Sequence, residues 1–287
     1  MRFGKMIKIN NKVVAINQYP DGTPRINIDV SKMAVHESNG YCYVIISWFY
    51  EDISEMFHLV AIKKHLEKYL VDTQLCLFMP YVPNARMDRT KHIDEVFTLK
   101  YFCNIINSLQ FNAVRILDAH SNVSAGMLDN CLNLTPVKYI EYTIKTINDD
   151  NIILYFPDFS AAKRYSEILP VYKYCYGEKK RNWETGEITG LEIRNNGFDL
   201  YGKTVLMLDD IISYGGSMYW GAKTLVEFGA EKIYAYATHT ENSVLDAEKS
   251  KLLELLDNGV VRGLYTTDSL YRGTHDKIFV MNLGELG

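Results

Sequence analysis

The sequence predicts an α/β protein of two units, each a mainly parallel sheet flanked by helices. Two observations carry this. Short apolar runs alternate with stretches whose apolar residues recur at helical spacing, and the alternation restarts after the polar stretch Asn148, Asp149, Asp150 and Asn151. Strands that read as continuous apolar runs belong to sheets covered on both faces. The 287 residues suffice for one large domain or two of ordinary size, and 47% hydrophobic content is enough for a sizeable core. The units are placed at 1–140 and 141–287.

In chain order, 44–48 reads as a strand. Residues 54–70 form a helix, with Met56, Leu59, Val60, Ile62, Leu66 and Leu70 at helical spacing. A buried strand at 75–79, a helix at 97–109 and a strand at 114–117 follow, the last ending at Asp118. The second round has a strand at 152–156 ending at Asp158, a helix at 161–169 and a strand at 204–208. Asp209, Asp210 and a glycine turn come next, then a helix at 218–228 and a strand at 232–238. Residues 176–190 are charged and punctuated by glycine. They read either as a plain β-hairpin with a solvated turn or as a mobile flap carrying cations.

Composition removes several classes. A net charge of −4 argues against a general nucleic-acid binder. Cys42, Cys76, Cys103, Cys131 and Cys175 form no C-x-x-C pair and are odd in number, which argues against a zinc site or a disulfide framework. Residues 1–8 lack the apolar core of a signal peptide, and no apolar run approaches the ~20 residues that span a bilayer. A cytoplasmic location with no membrane partner is expected.

The most informative segment is 206–217, Leu-Met-Leu-Asp-Asp-Ile-Ile-Ser-Tyr-Gly-Gly-Ser. A hydrophobic strand delivers two carboxylates to its C-terminal end, and a small-residue turn and a helix follow. Ligands of open α/β sheets bind at the carboxyl ends of strands. Backbone amides in such a turn, backed by a helix N-terminus, cradle phosphate. Adjacent carboxylates hold ribose hydroxyls or a hydrated Mg²⁺ ion. Taken alone, the segment also reads as a strand-turn-helix junction with Ser217 as helix cap. No G-x-x-x-x-G-K-[ST] segment supports a P-loop nucleotidase.

This run resembles the phosphoribosyl pyrophosphate loop of type I phosphoribosyltransferases. Five further segments resemble the phosphoribosyl pyrophosphate synthetases, also called ribose-phosphate pyrophosphokinases. Tyr19-Pro20-Asp21-Gly22-Thr23 is similar to their F-x-D-G-E loop. Pro80-Tyr81 through Ala85-Arg86-Met87-Asp88-Arg89 is similar to their P-Y-x-x-x-A-R-Q-D-R segment. Asp118-Ala119-His120-Ser121 resembles D-L-H, and Phe156-Pro157-Asp158 with Ala162-Lys163-Arg164 resembles P-D-x-G-x-x-K-R. Glu178-Lys179-Lys180-Arg181 resembles the D-K-R-R start of a catalytic flap. The six segments occur in family order.

The resemblance implies two type I phosphoribosyltransferase-like domains with the active site between them. It implies that the anomeric hydroxyl of a ribose phosphate attacks the β-phosphorus of ATP and AMP leaves. Such chemistry depends on positioning and on neutralising charge. Lys179 and Arg181 match the flap cations, and Lys180 is a less certain participant. His120 and Asp158 match positions that contact Mg²⁺-ATP; alone, His120 also reads as a structural histidine. Arg86 and Asp88 match the nucleotide segment, and Arg89 reads equally as one side of a structural ion pair. Tyr19 and Asp21 match residues that reach the adenine of a neighbouring subunit, which implies a homo-oligomer, dimer-based and often hexameric. Asp209 and Asp210 would hold the ribose 2- and 3-hydroxyls. Ser213, Tyr214, Ser217 and the amides of Gly215 and Gly216 complete the ribose and phosphate loop.

The pattern departs from the family in places. Ser213 and Tyr214 stand where an acid and a threonine are usual. Thr23 replaces the loop's Glu, and Met87 replaces a Gln and cannot hydrogen-bond adenine. Ser160 and Ala161 replace glycines. These changes leave two acceptors open: ribose 5-phosphate, or a larger 5-substituted ribose such as ADP-ribose, as in nicotinamide and NAD salvage, with Tyr214 stacking on the added nucleotide. Two rivals share parts of the pattern: a phosphoribosyltransferase, and a non-catalytic regulatory subunit of the synthetases.

Overall fold

Continuous apolar strands and helices with one apolar face build two sheets, one in each unit. The computed structural model describes residues 7–181, 188–195 and 197–284, with 179–181 and 188–190 described by their backbone alone. The units are Met1–Leu134 and Thr135–Gly287, each with its own buried core. Among the described residues no helix is long and apolar enough to cross a membrane.

The first unit runs through β1 (Ile7–Ile9), β2 (Lys12–Val13), β3 (Ala15–Gln18), β4 (Pro24–Asn27), β5 (His36–Ser38) and β6 (Tyr41–Trp48). It continues through α1 (Glu55–Tyr69), β7 (Thr73–Phe78), α2 (Thr98–Ser108), β8 (Ala113–Leu117), α3 (Asn122–Met127) and β9 (Cys131–Leu134). Strands β6, β7, β8 and β9 are parallel and lie side by side in sequence order. β1 and β5 pair antiparallel with β6, and β3 and β4 form a separate hairpin. Val44, Ile46 and Trp48 of β6 are fully buried against Leu59, Ile62 and Leu66 of α1. The Trp48 Nε1–H donates to Glu55 Oε2 at 2.9 Å, which ties the end of β6 to the first turn of α1.

The second unit runs through α4 (Val137–Ile147), β10 (Ile152–Phe156), α5 (Phe159–Ile168), β11 (Tyr174–Arg181), β12 (Ile188–Arg194) and β13 (Thr204–Ile212). Then come α6 (Gly216–Glu227), β14 (Lys232–Thr240), α7 (Lys251–Asp257), β15 (Val261–Thr267) and β16 (Ile278–Met281). The sheet order is β12-β11-β10-β13-β14-β15-β16, and only β11 with β12 is antiparallel. Every residue of β10 is buried, as a strand covered on both faces requires. From β10 the chain moves to β11 on one side and later returns to β13 on the other. That reversal is a topological switch point, and crevices for ligands open at the carboxyl ends of the strands flanking it. The right-handed crossover rule puts α5 and α6 on opposite faces of this sheet.

The apolar strands and helices read from the sequence are present, with one extension that matters. β13 does not stop at Leu208 but continues through both aspartates to Ile212. The short strands β2, β3 and β5 gave no periodicity signal, because most of their residues are exposed.

Candidate active site

The register of β13 builds the site. β10 pairs with β13 only from Ile152↔Thr204 to Tyr155↔Met207, whereas β14 stays paired through Ile212↔Thr240. Beyond Met207 the strand therefore protrudes with no ladder on its β10 side. Asp209 and Asp210 lie on this protruding stretch, close enough for their carboxyls to interact. Asp210 is buried and accepts from Arg164 Nη2 at 3.0 Å. Arg164 comes from α5, and its guanidinium lies 4.7 Å from the ring centre of Tyr165. The backbone N–H of Asp210 donates to Asp209 Oδ1 at 2.9 Å. Asp209 keeps some accessible surface, yet protein surrounds it closely. Burial and the adjacent Asp210 charge push its carboxyl well above the usual range, against the opposing pull of the Asp210 amide and of Arg164.

The loop after β13 is locked from behind. Gly215 has φ 75°, and a Cβ there would stand 2.3 Å from Leu252 Cβ, so both backbone and space demand glycine. α6 starts directly behind it with no side-chain cap, so Ser217 is not a capping residue and the first-turn amides are not consumed by one. The Tyr214 carbonyl accepts from the N–H of Lys251 at 2.9 Å and from Ser250 Oγ at 3.4 Å, so the start of α7 grips the loop. Ser213 Oγ lies 2.9 Å from Ser243 Oγ, and Ser243 donates to Glu241 Oε2 at 3.2 Å. The Tyr214 ring is 40% exposed. Carboxyls able to accept from hydroxyls thus stand beside amides able to hold an anion.

Asp158, at the end of β10, caps α5 by accepting from Ala161 N at 2.9 Å, and is exposed. It shares the carboxyl edge of the second sheet with Asp209 and Asp210. The backbones of Lys179 and Arg181 lie in β11, opposite Leu191 and Ile188, with an irregularity between Lys180 and Arg181. Their side chains, like that of Lys180, lie outside the described residues.

In the first unit the segment 80–89 follows β7 and the segment 118–121 follows the adjacent β8. Arg86 and His120 are exposed. Asp118 is buried in the left-handed region (φ 46°), and Ala119 N donates to Asn133 Oδ1 at 3.1 Å. This turn sets His120 at the strand end. Arg89 Nε lies 3.5 Å from Asp88 Oδ1, which gives Arg89 the ion-pair role. Tyr19 is 52% exposed at the β3–β4 turn. Asp21 there accepts from the Thr23 N–H at 2.9 Å, a bond that holds its carboxyl below the usual value.

Sequence reasoning named Arg164 only as part of a motif and did not pair it with Asp210. Its distance from Asp158, six residues along a helix, held the signal. Ser243, Glu241 and Ser250 were missed, since only the fold brings them to the loop.

Among the described residues no group of three His, Cys, Asp or Glu side chains stands close enough to hold a metal ion. His120 and Asp158 fall in different units. Single carboxylate or imidazole donors fit a largely hydrated Mg²⁺ that also takes substrate phosphates, not an all-protein cage.

The two mainly parallel sheets flanked by helices make this an α/β protein of two units. No family model matches the chain. It is 25% identical over 268 residues to a ribose-phosphate pyrophosphokinase of Bacillus subtilis, covering 92% of this chain and 79% of that one. It is 28% identical over 231 residues to one of Thermococcus kodakarensis, covering 79% and 77%. A crystal structure of phosphoribosylpyrophosphate synthetase from Mycobacterium smegmatis shares the fold with TM-score 0.67 and 17% identity, covering 95% of this chain and 87% of that one. The chain is a homologue of the ribose-phosphate pyrophosphokinases, which are transferase enzymes.

Proposed function

We propose that the protein moves the β,γ-diphosphoryl group of ATP to the C1 hydroxyl of a ribose phosphate and releases AMP. The oxygen–phosphorus bond to the β-phosphorus forms at C1–OH, the bond to the leaving AMP breaks, and the hydroxyl loses its proton. The observation that carries this reading is the protruding end of β13. It sets two carboxyls beside an uncapped helix N-terminus at a switch point. Asp209 and Asp210 serve the ribose, and the amides of Gly215 and Gly216 with Ser217 serve its 5-phosphate. Lys179 and Arg181 stabilise charge in transfer, since preorganised cations act strongly in a site shielded from water. Arg86, Asp88 and His120 serve ATP. Mg²⁺, bound with ATP, would neutralise phosphate charge, and His120 and Asp158 are the side chains proposed to meet it. Tyr19 and Asp21 would serve a neighbouring subunit of a homo-oligomer, a role their exposure allows.

The relatives' names support ribose 5-phosphate as acceptor. The exposed Tyr214 ring, with the Ser213 hydroxyl paired to Ser243, is the observation that keeps ADP-ribose as a second acceptor. Mass spectrometry of products formed with ATP, Mg²⁺ and either acceptor tests both. Phosphoribosyl pyrophosphate plus AMP supports the first, and diphosphorylated ADP-ribose plus AMP supports the second. With ADP-ribose, Tyr214→Thr should raise the acceptor KM about tenfold; an unchanged KM removes the stacking role. AMP in neither tube would favour a non-catalytic regulatory relative. Nucleotide and pyrophosphate formed from phosphoribosyl pyrophosphate and an added base, with no AMP released from ATP, would favour a phosphoribosyltransferase.

A further inference from the structure

The two adjacent carboxyls are not equivalent. Asp210 is 5% exposed and already engaged by Arg164 at 3.0 Å, while the neighbouring Asp209 is only half-buried. The stretch that bears them has lost its β10 partner beyond Met207. Arg164 supplies a link on that unsupported side: it reaches from α5 to the protruding strand, and its guanidinium is steadied on the Tyr165 ring. The link continues, because the backbone N–H of Asp210 donates to Asp209 Oδ1. A backbone shift at Asp210 would move the donor that orients Asp209.

We infer that Arg164 is a positioning residue for the acceptor: it fixes Asp210, and through the Asp210 amide it holds Asp209 as the carboxyl presented to the ribose hydroxyls. This inference rests on the transferase reading above. It divides the labour otherwise shared by the two aspartates. Asp210 acts as an anchor and Asp209 as the contact. A charge-assisted bond of this kind controls geometry as well as charge.

A double-mutant cycle read on the acceptor KM tests it, with AMP release as the assay. Arg164→Met should raise the ribose 5-phosphate KM about 10- to 100-fold and leave the ATP KM nearly unchanged. Arg164→Lys should recover part of the loss, since it keeps the charge but not the fork. Because Arg164→Met leaves Asp210 buried without its cation, the variant Arg164→Met/Asp210→Asn, which removes both charges, guards against simple misfolding. Its acceptor KM should be no worse than that of either single variant. Arg164→Met/Asp209→Asn should instead multiply the two single effects. Equal shifts in both substrates' KM values, or multiplication in the Arg164/Asp210 pair, would overturn the inference while leaving the transferase reading intact. A wild-type protein that releases no AMP with ribose 5-phosphate or ADP-ribose would overturn both.

Discussion

The two sheets share a parallel core but differ in strand order, and the difference shows where chemistry is built into the backbone. In the first sheet β6, β7, β8 and β9 follow one another across the sheet without reversal. In the second, the chain leaves β10 in both directions and creates a switch point. The candidate residues differ accordingly. At the second sheet's switch point a part-buried ion pair, a left-handed glycine and the grip of α7 fix the carboxyls and the loop in advance. On the first sheet Arg86, His120 and Tyr19 are exposed side chains at strand ends and a hairpin turn. Fixed geometry is thus concentrated at the second sheet's switch point, whereas the candidate side chains of the first sheet are exposed. Perturbing the second unit should damage kcat or the acceptor KM, and perturbing the first should damage the ATP KM.

The largest effect should come from the flap. Lys179→Ala is expected to lower kcat by about 10²- to 10³-fold in steady-state assays. A loss confined to KM would remove Lys179 from transition-state stabilisation. Gly215→Ala comes next. Its positive φ and the approach of Leu252 should cost about 3 kcal/mol, seen as a lower urea midpoint together with a raised acceptor KM. A stable variant with normal acceptor binding would show that the loop is not held as tightly as the contrast requires.

His120→Ala should raise the ATP KM about tenfold with little change for the acceptor. An equal effect on both substrates would erase the division between the two sheets. The smallest effect concerns Asp209 and stability. Its folded carboxyl holds a proton more tightly than the ordinary value of 3.8. Its contribution to stability is therefore fully present below that value and declines as pH rises past it, until the folded carboxyl itself ionises. Asp209→Asn, neutral throughout, should melt roughly 2–4 °C higher near neutral pH and match the parent in acid. A pH-independent difference would show that Asp209 is not desolvated.

The sequence determined the apolar strands and helices of both rounds, because buried parallel strands are near-continuous apolar runs and core helices repeat at helical spacing. It also determined which residue types stand at the carboxyl ends: Asp158, His120, Asp209 and Asp210 each follow or end an apolar run. The strands β2, β3 and β5 escaped notice because exposed strands carry no apolar pattern. Only the tertiary structure decided that β13 outruns β10, since register depends on the partner strand and not on the strand's own residues. Only it brought Arg164 to Asp210, residues 46 positions apart, and Ser243 to Ser213, 30 apart. The local sequence specified a carboxyl pair and a glycine loop, but that Asp210 is the carboxyl engaged by Arg164 follows from how α5 packs beside the end of β13.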